Sequence, residues 1–233
     1  MARQTTMQNP AGLESKAPHS QGLADRLKDA TTDLHKIAER TGIISDILRQ
    51  RTTIDHYLLL LANLTPVYRT MEACISKHSG THALSNLVQP EIFRYPTLHA
   101  DINALKAHFS VDAELRVFAT TDAYCAHVLA SFSSSPAAML GHIYVRYLGD
   151  LNGGQVLQRL IGQSMGIPSS MLSFYAFPSI DDLAKYRETF RRQLDATELT
   201  EQDARLAIGV AVDAFKLNID LSNAVKQYRF DQH

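Results

Sequence analysis

Residues 142–155 read His-Ile-Tyr-Val-Arg-Tyr-Leu-Gly-Asp-Leu-Asn-Gly-Gly-Gln. The first half carries apolar and aromatic side chains at the spacing of a buried helix, whereas the second half sets Gly149, Gly153 and Gly154 where a helix should be most regular. Each interior glycine costs a helix about 1 kcal/mol relative to alanine, so glycines this close together predict a bend with bare backbone. Bare main chain admits the close approach of something flat, and Asp150 is the only ionisable side chain in the bend. Gly-x-x-x-Gly alone is more often a crossing point of two helices, so the spacing by itself does not decide between packing and a ligand.

Outward from this stretch the pattern is helical almost without a break. Pro136 suits a helix start, and a helix end is expected near Gly166, followed by a Pro-Ser-Ser turn and the aromatic run Phe174 to Pro178. Two further helices are expected at about 180–194 and 201–228, each preceded by a Ser or Thr with an acid three residues on. Towards the N-terminus, shorter helices are read near 97–109 and 112–132, and the proline- and glycine-punctuated stretch 79–96 reads as connection. Thr53 is a candidate N-cap for a long helix with Tyr57, Leu61, Leu64, Tyr68, Met71 and Ile75 on one face, kinked by Pro66. A first helix carries Leu23, Leu27, Ala30, Leu34 and Ile37 and can close at Gly42, with a short apolar turn at 43–48. No strand alternation and no internal repeat occur. The expected architecture is all-α, a single bundle packed around one pocket.

Composition narrows the function. A chain of 233 residues with 45% hydrophobic content can bury one full core, and its 23 Lys and Arg balance 24 Asp and Glu. That balance excludes the global positive field that nucleic acid or an anionic membrane requires. Cys74 and Cys125 form no Cys-x-x-Cys pair or disulfide framework, which fits a reducing, cytoplasmic setting. Residues 1–21 read as a polar, disordered tail without a signal-peptide or transit-peptide pattern, and 22–229 as the helical domain. No apolar stretch reaches the length of a membrane span. The protein is expected to be a soluble monomer.

The string Tyr144-Val145-Arg146-Tyr147-Leu148-Gly149-Asp150-Leu151-Asn152-Gly153-Gly154-Gln155 closely resembles the distal-helix signature of the haem oxygenases. The resemblance runs from about Leu23 to Tyr228 and is weak between about Ser76 and Pro136. Asn152 stands where serine is frequent in that family. Ala30-Thr31-x-x-Leu34-His35-x-x-Ala38-Glu39 is similar to the family's proximal helix, and the resemblance implies His35 as the axial ligand of haem iron. A lone histidine beside an apolar face is usually a core residue, but Glu39 lies one turn on, where its carboxylate can accept the proton of the other ring nitrogen. His142, the main competitor, falls on the distal helix and reads as structural.

What the resemblance implies is oxidative opening of haem, at once cofactor and substrate, to biliverdin, carbon monoxide and ferrous iron. The reaction uses O2 and electrons from an external donor, a reductase or a ferredoxin. Backbone at Gly149 and Gly153 would lie against the ring, and Asp150 would hold an ordered water that delivers a proton; taken alone, Asp150 also suits a turn or cap. Arg146 would belong to the same distal network. Lys28, Arg187 and Arg191 match propionate-binding positions, with a hydroxyl from Tyr144, although each cation also suits a solvated surface. Phe215 resembles a ring contact and Asn218 a polar partner, and both also fit ordinary packing. Other readings are a non-catalytic haem carrier or sensor, which would not need Asp150 and the bend together, a relative of the same fold that binds no haem, and a di-iron bundle, excluded because no Glu-x-x-His occurs. The regiochemistry implied is attack at the alpha meso carbon.

Overall fold

Leu23, Ala24, Leu27 and Thr31 form the buried stripe of the first helix, α1 (Leu23–Arg40), while Ala30 and Ile37 of the expected apolar face are exposed. The stripe is narrower than the sequence predicts because the second half of α1, with His35, Ala38 and Glu39, faces a cavity rather than packed core. This computed structural model describes residues 21–77, 84, 87–112 and 114–230. The expected tail, apart from Gln21, and part of the 79–96 connection lie outside the described residues.

Thr41 separates α1 from α2 (Gly42–Leu48), so the apolar stretch expected as a turn is a short helix, and Gly42 opens it rather than closing α1. Gly42 has φ +58°, and a Cβ there would meet Ser222 Oγ at 2.2 Å, so both conformation and space require glycine. The central helix is α3 (Ile54–Lys77), whose residues from Tyr57 to Leu64 are all buried. A helix apolar on every side belongs in the middle of a bundle. Thr53 caps it, with the His56 amide 3.4 Å from Thr53 Oγ1, and the helix runs on through Pro66.

Helices α4 (Tyr95–Phe109) and α5 (Ala119–Ser134) pack on α3. The second starts seven residues later than the periodicity suggests, for a reason that lies in α3. Buried Asn63 donates to Leu59 O and Arg116 O and accepts from the Phe118 amide and Thr121 Oγ1, at 2.6–2.9 Å. Satisfying that amide requires extended backbone at Phe118, which delays the helix.

Ser135 caps α6 (Pro136–Ile143), accepting from the Ala137 amide at 3.1 Å. Next come a π-helical turn (Tyr144–Leu148) and then α7 (Gly149–Met165), ended by Gly166 at φ +65°. The bend expected at the glycines does not form: a π turn precedes them and they lie in ordinary α-helix, with φ −60° and ψ −49° at Gly149. Helices α8 (Leu183–Asp195) and α9 (Glu201–Gln227) complete the bundle. Thr200 caps α9 as expected, whereas α8 is capped by Asp182 rather than by the preceding Ser179, because Asp182 accepts from the Lys185 amide at 2.9 Å. No strand occurs among the described residues.

A buried polar cluster ties α3 to the segment 173–176. Glu72 accepts from the amides of Arg94 and Tyr95, at 2.5 and 3.1 Å. The Arg94 guanidinium donates to the carbonyls of Phe174 and Ala176 and lies 4.1 Å over the Phe177 ring. Asp101 accepts from the amides of Ser173 and Phe174, at 2.9 and 2.8 Å. Burial pushes the Glu72 carboxyl up to about 7, against the lowering pull of those amides, the Arg94 charge and the Tyr147 hydroxyl. A carboxyl raised in the fold stabilises it fully below its ordinary value of 4.5 and loses that contribution as pH rises through about 7. Urea unfolding from about pH 5 to about pH 8 should therefore show roughly 3 kcal/mol of declining stability in the native chain that the Glu72→Gln variant lacks. Parallel curves for the two proteins would place Glu72 at an ordinary carboxyl value.

Candidate active site

Helix α1 and the π turn with the start of α7 face each other across a slot. Two abutting cavities make it up, of about 190 and 280 Å³, and both are lined by His35, Glu39, Val145, Gly149 and Phe215. Their combined size falls within the range of about 300–1,000 Å³ typical of small-molecule pockets. Asp150, Arg146, Asn218, Phe174 and Tyr175 line the inner part, and Tyr144, Leu148, Asn152 and Gly153 the outer part.

On one wall stands His35, 60% exposed, with Nδ1 at 3.6 Å from Glu39 Oε1. That is an electrostatic contact longer than a hydrogen bond, and it leaves Nε2 as the nitrogen available to a ligand. The Phe215 ring meets the imidazole edge-on, with centroids 6.0 Å apart.

The opposite wall is main chain. A Cβ built on Gly149 or on Gly153 meets no protein atom within 4 Å. Neither glycine is needed for backbone conformation and neither is needed for packing, so what their missing side chains preserve is the width of the slot. Gly141, one turn before the π segment, is the opposite case: a Cβ there would lie 2.5 Å from Ala207 O and 2.6 Å from Ala211 N. It serves the crossing of α6 and α9, the ordinary use of glycine between helices.

At the inner end runs a chain of half-buried hydrogen bonds. Tyr68 on α3 donates its hydroxyl to Asp150, and Arg146 donates to Tyr68 through Nε at 3.0 Å and a terminal nitrogen at 2.7 Å. Another Arg146 nitrogen donates to Asn218 Oδ1, and Asn218 Nδ2 donates to Tyr124 at 3.2 Å. Burial raises the Asp150 carboxyl above its ordinary value, and Arg146, Tyr68 and Arg94 oppose that rise. For Arg146, burial works to release the proton, but Tyr68 and Asp150 outweigh it and hold the guanidinium firmly charged. Tyr68 and Tyr124 are members that sequence reasoning did not single out. An inward tyrosine at helical spacing looks the same whether it fills the core or carries a polar chain.

The expected cations stand elsewhere. Neither Lys28, Arg187 nor Arg191 is among the residues lining the two cavities. Arg187 donates to Leu151 O at 3.2 Å, which ties α8 to the glycine helix, and Arg191 acts electrostatically on the Tyr144 hydroxyl. Lys28 is exposed on α1 and makes no ion pair with a described residue. His142 lies outside both cavities, fully buried, with Nε2 3.0 Å from His127 Nδ1 and 3.3 Å from Ser131 Oγ. Burial, aided by His127, pushes it down to about 3.

A family model described as Heme oxygenase matches residues 21–224. The heme oxygenase of Takifugu rubripes is 32% identical over 203 residues, covering 85% of this chain and 72% of that protein. Heme oxygenase 1 of Synechocystis sp. is 29% identical over 209 residues, covering 89% and 86%. Among solved structures, heme oxygenase-1 from Synechocystis in complex with heme aligns with a TM-score of 0.81 at 29% identity, over 88% of this chain and 93% of that one. Heme oxygenase-2 from the same organism, in complex with heme and NO, aligns with a TM-score of 0.79 at 26% identity, over 88% and 85%.

The contrast between the glycines can be measured on the ligand-free protein. Gly149→Ala and Gly153→Ala should each leave the melting temperature unchanged or raise it by up to about 4 °C, since alanine gains about 1 kcal/mol in a helix. Gly141→Ala should lower stability by about 1–3 kcal/mol through its clash with α9. Equal losses in all three, read by calorimetry, would mean that Gly149 and Gly153 pack against protein after all.

Proposed function

Because the chain belongs to the haem oxygenase family, an enzyme family whose members degrade haem to biliverdin, we propose that the slot between α1 and α7 is where this chain binds haem and directs its opening at the alpha meso carbon. One observation carries the assignment of the site: a histidine with one free ring nitrogen faces two glycines whose missing side chains serve neither packing nor conformation, with a half-buried carboxyl beside them. Two solved relatives are heme complexes, which supports haem as the occupant. Bound there, haem supplies the iron that activates O2, and it is also the molecule cut, yielding biliverdin, carbon monoxide and ferrous iron with electrons from an external reductase or ferredoxin.

In this reading His35 Nε2 would hold the iron, and Glu39, now 3.6 Å from Nδ1, would close on that nitrogen to accept its proton, orienting the ring and raising its basicity. Gly149 and Gly153 would set bare main chain close to the opposite face of the bound group, keeping the space above it shallow. Asp150 holds a water and passes a proton through it. Its raised carboxyl favours that role, and Tyr68 and Arg146 keep it in place. Asn218 anchors Arg146 from α9, and Phe215 packs on the ring edge. Lys28, Arg187 and Arg191, with Tyr144, are the groups proposed to meet the two propionates; since none of the three cations lines the slot as it stands, their long side chains would swing toward it, Arg187 giving up its bond to Leu151 O. The reading has the enzyme working as a cytoplasmic monomer. No helix among the described residues is long and apolar enough to cross a membrane.

His35→Ala should keep the fold and part of the haem affinity, lose turnover, and recover it when free imidazole is added. An unchanged absorption spectrum and full activity would remove His35 as the ligand. Asp150→Ala should bind haem yet form biliverdin slower by roughly 10²-fold or more, the contribution of a positioned proton donor.

Exposed ion pairs contribute about 0–1 kcal/mol each, and about 1.4 kcal/mol gives a tenfold preference. The mouth cations can therefore bias the in-plane orientation of haem by about ten- to a hundredfold. Arg187→Ala with Arg191→Ala should weaken haem binding modestly and yield a mixture of biliverdin isomers on chromatography. A single unchanged isomer would assign the orientation to packing alone.

A further inference from the structure

A second cleft, of about 500 Å³, opens where α2, the start of α3 and the end of α9 meet. Ile44 and Ser222 line the haem slot while their neighbours Ile43 and Asn223 line this cleft, so a single layer of chain separates the two. Its charge is unbalanced. Arg51, Lys226 and Arg229 line it against one carboxylate, Asp46. Asp46 already serves two of the cations: Lys226 Nζ lies 3.0 Å from both of its oxygens, and one terminal nitrogen of Arg51 lies 3.0 Å from Oδ1. The rest of the Arg51 fork remains available, and Arg229 makes no ion pair with a described residue. The ring nitrogens of His56 are both engaged, by Thr53 Oγ1 at 2.9 Å and Tyr228 O at 3.2 Å, so His56 adds no free donor.

Two polar features converge on the same cleft. Thr52 Oγ1 is buried without a hydrogen-bond partner, a condition that normally costs stability unless something meets it. The first turn of α3, a helix of 24 residues, begins beside it and directs the positive end of its dipole there.

We propose that this cleft binds a small phosphorylated anion, held by Arg51 and Arg229 with Lys226 behind them and Thr52 donating its hydroxyl. The surplus of two positive charges matches a phosphate group, which carries about −1.5 to −2 at neutral pH, better than a single carboxylate. Two guanidinium forks, an ammonium and a hydroxyl also offer more donors than a carboxylate has oxygens, whereas a tetrahedral oxyanion can use them.

The test titrates pyrophosphate into the full chain, with and without haem, by isothermal calorimetry at constant ionic strength maintained with chloride. Saturable binding at one site is expected. The double variant Arg51→Gln, Arg229→Gln should weaken it by about tenfold or more per arginine removed, since a hydrogen bond to a charged group is worth roughly 1.5–3 kcal/mol. Both side chains are exposed, so circular dichroism and haem binding of the variant should match the parent. Arg187→Ala with Arg191→Ala should leave pyrophosphate binding intact. No saturable heat above the chloride control would overturn the proposal, as would binding that survives in the cleft variant or vanishes in the mouth variant.

Discussion

A guanidinium in the middle of a helical bundle must be matched on every side, and Arg146 sets that demand. Tyr68 comes from α3, Asn218 from α9 and Asp150 from the helix that Arg146 itself introduces, so satisfying one charge fixes three helices relative to each other. Leaving any of these groups unpaired would cost more than the bond itself contributes, because a buried polar group without a partner keeps its full desolvation penalty. The Asp150 carboxyl is thus positioned by the same contacts that hold the bundle, and the slot's inner end cannot loosen without the core loosening too.

The aromatic end of the slot follows another rule. Arg94 and Asp101 are buried charges that hold no catalytic group; they grip the backbone of 173–176 and so deliver Phe174 and Tyr175 to the inner part of the slot. Irregular backbone in a protein interior needs side chains to satisfy its amides and carbonyls, and these two supply them. Both come from the part of the chain where the family resemblance is weakest.

That is also the limit of what could be read in advance. Punctuation by Pro136 and Gly166 is local, so the helix between them was legible from sequence, as was the cap at Thr200. The late start of α5 was not, because its cause is Asn63, some fifty residues away in the chain. Tyr68 was placed on the right face of the right helix and its role was still hidden, since a core tyrosine and a network tyrosine have the same periodicity. The glycines were read as a bend because glycine weakens helices. In the fold they are helical, and their meaning lies in space on the far side of the backbone. Lys28, Arg187 and Arg191 were legible as cations on the right helices, but where a long exposed side chain rests is decided by its partner, which sequence does not contain.

The π turn at Tyr144–Leu148 has a consequence for how this region can change in evolution. A π turn accommodates one residue more than the α-helix around it. Removing a residue there would let the helix close into a continuous α form and rotate everything after it by about 100° about the axis. Gly149, Gly153 and Asp150 would then turn away from His35 together, although each would still be present. Chain length across this turn is therefore constrained more tightly than the identity of its residues, and a chain that kept every one of these residues but dropped one position would lose the slot's facing walls.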